Sequence, residues 1–166
     1  MRRGRDLMNA RRFFLCAKDA AEELERCEHW LRTHHELAEA PKTQDYQPHY
    51  GGGNSDPTTK VDALMDREAT LRRQRMIPCE ETLDIAFTMV GKVSEEFSDK
   101  ASMGISCHYL YGESWPTVAQ STGIPKESMR LLVNAAFDYL DSVYEFGAYQ
   151  DGSLWVSCSG TLVEAV

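Results

Sequence analysis

The chain has 166 residues and a formal net charge of −8 at pH 7, enough length for one helical domain with a real core, or for a helical N-terminal half carrying a small C-terminal module. No apolar run approaches the length that spans a bilayer, and Met1-Arg2-Arg3 is followed by no hydrophobic signal core, so a cytoplasmic protein without a membrane partner is expected. The five cysteines, Cys16, Cys27, Cys79, Cys107 and Cys158, stand singly with no C-x-x-C pair, which argues against a disulfide framework and a zinc ribbon and for free thiols.

The first twelve residues hold Arg2, Arg3, Arg5, Arg11 and Arg12 against Asp6 alone. They read either as a solvated terminus or as a basic arm that touches phosphate. From Arg11 the pattern is helical: Phe13, Ala17, Ala20, Leu24, Cys27, Leu31, His34 and Ala38 recur in steps of four and three, the spacing of a helix packed along another helix. That face is satisfied either within one chain or between two copies, and a dimer is the expectation because regulators that read two half-sites gain from pairing. Cys27, His29, His34 and His35 have ligand chemistry, but the heptad positions explain Cys27 and His34 as core, so no metal or cofactor is expected.

Residues 41–56 contain two prolines and three consecutive glycines with no periodicity, and are read as a flexible loop rather than a phosphate cradle. Asp56 can cap the next helix, with Pro57 in its first turn. Its apolar face is expected to be Val61, Leu64, Met65 and Leu71, then Leu83, Ala86, Phe87, Val90 and Phe97, with a kink or restart near Ile77-Pro78. Arg67, Arg72, Arg73 and Arg75 form the densest basic cluster outside the terminus, either paired with Asp66 and Glu68 or presented to a partner.

Ser98 to Tyr111 reads as a helix using Met103, Ile105, His108 and the tyrosines as contacts. His108 beside Cys107 lacks a third group to orient the imidazole, and no hydrolase elbow, Walker loop or H-E-x-x-H motif occurs, so no enzyme is expected. From Ser114 to Leu140 the residues fall where a helix-turn-helix needs them. Ser114 caps a short helix with Pro116 in its first turn, Gly123 ends it in the left-handed conformation, Ile124 plugs the junction, and Pro125 opens a second helix. Met129, Leu132, Val133, Ala136, Phe137 and Leu140 form that helix's buried face; Lys126, Glu127, Ser128, Arg130, Leu131 and Asn134 lie nearer the other.

This block resembles the fourth region of sigma-70-type factors. The Tyr109-x-Tyr111-Gly112-x-Ser114-Trp115 run before it, and Ser55-Asp56-Pro57-Thr58 between two helical stretches, resemble phage and prophage regulators of the ArpU and RinA type. The likeness covers roughly residues 13–145. It implies duplex DNA binding, activation of late phage genes and RNA polymerase as a partner, with contacts to DNA from Lys126, Glu127, Ser128, Arg130 and Asn134 together with Arg2, Arg3 and Arg5.

The tail, 147–166, changes character. Leu154, Val156 and Cys158 alternate with Trp155 and Ser157, and Ser159-Gly160 can turn into Thr161-Leu162-Val163, a weak hairpin that must pack on something. The expected fold is all-α: an antiparallel helical hairpin region over 1–97, a helix-turn-helix over 98–146, and a short β-hairpin tail. A second function is kept open by charge. The 98–146 module has three basic residues against six acidic ones, and a −8 body is drawn to a basic nucleic-acid channel rather than to DNA. On that reading the chain is an anti-CRISPR or anti-restriction type inhibitor of a host nuclease, binding through Asp138, Asp141, Arg72 and Arg73.

Overall fold

Helix α1 runs from Ala10 to Glu39 in the computed structural model, which describes residues 6–39, 57–158 and 161–163. Arg2, Arg3, Arg5, the 41–56 loop and Asp56 lie outside the described residues. Asn9 caps α1: its Oδ1 accepts the Arg12 N–H at 2.8 Å, satisfying one of the donors a helix start leaves open. The heptad face is realised, with Phe13, Ala17, Cys27 and Leu31 buried and Ala20 and Leu24 half-buried. Phe14 is buried as well, because the first turns of α1 are enclosed on two sides.

Helix α2, Pro57–Leu71, passes through a π-helical turn at Arg72–Met76 into α3, Ile77–Glu96. The interruption foreseen at Ile77-Pro78 is therefore a widened turn rather than a stop. Pro78 has no N–H to return to the preceding turn, and its ring would crowd a carbonyl there. The turn opens just ahead of it, the Ile77 N–H reaching back five residues to the Arg72 carbonyl. Two residues expected on the buried face of α2 are instead exposed, Val61 at 55% and Met65 at 63%, since only Leu71 from this helix packs on the small core at the far end of α1.

Ser98 caps α4, Asp99–Ile105, by accepting the Ala101 N–H at 3.3 Å, and a second π turn at Ser106–Leu110 completes that stretch. Ile105 and Tyr109 are buried as expected, whereas Met103 is half exposed and points away. Helices α5, Trp115–Thr122, and α6, Lys126–Val143, follow. Among the described residues no helix is long and apolar enough to cross a membrane.

The chain then leaves α6 directly into a sheet. Strands β1 (Asp6–Met8), β2 (Tyr144–Ala148), β3 (Leu154–Cys158) and β4 (Thr161–Val163) pair antiparallel in that order. The foreseen hairpin is β3–β4, with Cys158 opposite Thr161; β1 and β2 were not legible in the sequence and double its width. Four strands with one packed face make stable what a lone hairpin would not. Ala10, Phe13 and Phe14 of α1, Met89 of α3, Phe137 of α6 and Val156 of β3 belong to one cluster of buried residues, so the three segments expected from sequence share a core.

Gly104 shows how tightly this core closes. A Cβ there would press on Met129 Sδ well inside contact distance and meet Val133 Cγ2 at 3.0 Å, so the missing side chain is what lets α4 lie against α6. In an open helix Gly→Ala gains about 1 kcal/mol of propensity. Here overpacking a buried site should outweigh it, and Gly104→Ala should destabilise the protein by about 1–2 kcal/mol in urea denaturation. A raised unfolding midpoint would refute this packing.

Candidate nucleic-acid interface

The helix-turn-helix has the local geometry its residues dictate. Ser114 Oγ accepts the Thr117 N–H at 3.4 Å and sits 2.8 Å from Thr117 Oγ1, fixing the start of α5. Gly123 ends α5 at φ +72°, a conformation that a Cβ would strain, and its N–H returns to the Ala119 carbonyl at 3.0 Å. Ile124 is half-buried against the main core, and Pro125 stands at the N-cap of α6 in an extended conformation. Val118 and then Met129, Val133, Ala136, Phe137 and Leu140 are buried, with Leu132 partly so.

The outer side of α6 carries the residues expected to read DNA. Lys126, Glu127, Ser128 and Arg130 are exposed, and Leu131 between them is 70% exposed. Arg130 Nη1 lies 3.7 Å from Glu127 Oε1, a surface pair that costs little to part. Asn134 is placed differently: its Oδ1 accepts a hydrogen bond from Arg11 Nη2, so its carboxamide is tied to α1. The same Arg11 guanidinium stands 5.8 Å from the Phe137 ring centroid.

The structure thus brings α1 to the flank of α6. Lys18 lies two turns along α1 from Arg11, on the same face. Helix α1 also packs on the second π turn. Sequence reading could not join α1 to α6, because 123 positions separate Arg11 from Asn134.

Below this surface, His108 and Cys107 have packing roles. The imidazole stacks on Trp115 at 3.9 Å between centroids, and its Nδ1–H donates to the Glu113 carbonyl at 2.8 Å. Burial lowers the His108 pKa, with the Glu113 bond opposing, so the ring is neutral at pH 7. Burial first, and then the Glu113 carboxylate, push the Cys107 thiol up, the reverse of an activated nucleophile. Among the described residues no three His, Cys, Asp or Glu side chains come together as a metal site.

The residues of the acidic-surface reading are dispersed. Asp141 Oδ1 accepts the Ala10 N–H at 2.7 Å, supplying negative charge to the N-terminus of α1 from across the fold. Its carboxylate is engaged in structure, while Asp138 is exposed on α6. Arg72 is paired with Glu68 at 3.0 Å and Arg73 is exposed, both far along the chain from these aspartates. Set against protein-family models, curated proteins and solved structures, the chain matches none.

A pH test follows from His108. Its folded pKa lies below the ordinary 6.5, so as the pH falls the unfolded chain takes up this proton before the folded one does. The stability that neutral His108 contributes is complete above 6.5 and is lost as the pH drops through and below that value. His108→Phe keeps a ring on Trp115, and its urea midpoint should fall less than wild type's between about pH 7 and about pH 5.5. Parallel declines in the two proteins would count against a buried neutral imidazole.

Proposed function

We propose that this chain is a duplex-DNA-binding transcription regulator of the phage or prophage type, in which α6 enters a major groove and α1 grips the flanking backbone. The observation that carries the reading is the outward face of α6, where Lys126, Ser128 and Arg130 project from a helix whose turn is fixed by Gly123 and whose opposite side is core. Serine and arginine at such positions reach base edges or phosphates, and the N-terminus of α6 adds its own attraction for phosphate. Arg11 and Lys18 supply cations that the module by itself lacks. Asn134 is better placed to hold Arg11 than to read a base.

Few cations on a body of net −8 imply weak non-specific binding with a shallow salt dependence. In a mobility-shift titration Arg130→Ala, Lys126→Ala and Arg11→Ala should each weaken duplex binding and reduce the salt slope by about one unit, while Asp138→Ala should not weaken it. Failure of the wild-type protein to shift any duplex at about 50 mM salt, where attraction to phosphate is strong, would overturn the proposal.

A further inference from the structure

A second basic site lies at the far end of α1, away from the helix-turn-helix. Arg26, Cys27 and Trp30 on α1 face Arg67 and Leu71 on α2 and Arg75 in the first π turn across a cavity of about 430 Å³. Leu71 and Cys27 contribute apolar lining and Trp30 an indole wall, half-buried and stacked on His34 at 3.7 Å between ring centroids.

The arginines are organised rather than merely near. Glu23 accepts from Arg26 Nε at 3.0 Å and Nη2 at 2.9 Å through Oε2, and from Arg75 Nε at 2.6 Å through Oε1. One carboxylate therefore sets two guanidiniums side by side, and each keeps N–H groups free for another acceptor. Arg67 makes no hydrogen bond or ion pair with any described residue. Three cations against one carboxylate leave the cavity positive in a chain of net charge −8. The neighbouring Glu68 is already engaged by Arg72 at 3.0 Å and His35 at 3.4 Å; Asp66 does not line this cavity but an adjoining cleft that shares Arg67, Leu71 and Arg75 with it.

The π turn contributes to this geometry. Residues five apart would stand about 140° apart around an α-helix. In the wider turn both Leu71 and Met76 pack on the Cys27 and Leu31 core. Met76 anchors the turn, and Arg75 beside it is delivered to Glu23 and the cavity.

We propose that this cavity binds a nucleotide, with its phosphates on Arg26, Arg67 and Arg75 and its base against Trp30. Guanidiniums held in a fork match phosphate oxygens, an indole offers a stacking face to any base, and the volume falls in the range of about 300–1,000 Å³ usual for small-molecule sites. The ligand needs both parts, since the site offers cations and an aromatic wall together.

Isothermal titration calorimetry on the full chain tests this with three probes: ATP, tripolyphosphate and adenosine. ATP should bind at submillimolar concentration, and tripolyphosphate and adenosine each at least about tenfold more weakly. Arg67→Ala, at an exposed position without a described partner, should lower ATP affinity by about tenfold or more with an unchanged melting temperature, and Trp30→Leu should lower ATP affinity but not that for tripolyphosphate. The proposal is overturned if ATP gives no heat at millimolar concentration, if tripolyphosphate binds as tightly as ATP, or if Arg67→Ala binds ATP like wild type.

Discussion

The insertion of the first turns of α1 into the junction of α6 and the sheet is the contact on which the rest depends. Phe13 lies 4.9 Å from the Phe146 ring centroid, and Phe14 lies 5.6 Å from Phe137 and 6.2 Å from Tyr109. Each such pair adds about 0.5–1.5 kcal/mol beyond the area it buries. The same turn is held electrostatically, with Asp141 accepting the Ala10 N–H. Residues 6–8 then have no choice of register: they leave α1 beside β2 and pair with Phe146, Gly147 and Ala148. The N-terminus therefore closes the sheet that the C-terminus opens.

A second tie fixes the opposite side. Glu96, at the end of α3, accepts from the Tyr139 and Tyr144 hydroxyls, each at 2.9 Å, and so joins α3 to the place where α6 gives way to β2. Hydrogen bonds to a charged acceptor are stronger than neutral ones. Aromatic packing holds α6 on one side and this carboxylate holds it near its end, while its outward residues, from Lys126 and Arg130 to Asp138 and Ser142, face solvent along the helix.

Charge is distributed to match. An acidic chain gathers cations at two places on one rod: Arg11 beside α6, and Arg26 facing Arg67 and Arg75 at the other end. The fifteen residues from Arg11 to Arg26 span about 22 Å of helix. A thirty-residue helix packed on α3 for much of its length is a stiff connection between the two. Near that far cavity little apolar area holds α2 against α1, and Val61 and Met65 lie in water.

Local signals were sufficient where the chemistry is local. Ser114, Gly123 and Pro125 each determine backbone within a few residues, so the helix-turn-helix and its buried face were readable, as were the heptad of α1 and the β3–β4 hairpin. Three features needed the folded chain. The strand at Asp6–Met8 is too short to signal itself and exists because β2 offers it an edge. The π turns answer to Pro78 and to packing around Tyr109, neither of which writes a period of its own. The partners of Arg11, Asp141 and Arg75 lie 123, 131 and 52 positions away. Periodicity tells which face of a helix is buried, and capping residues tell where it ends. Which charged group meets which depends on how the helices cross, and that is decided by the shape of the shared core.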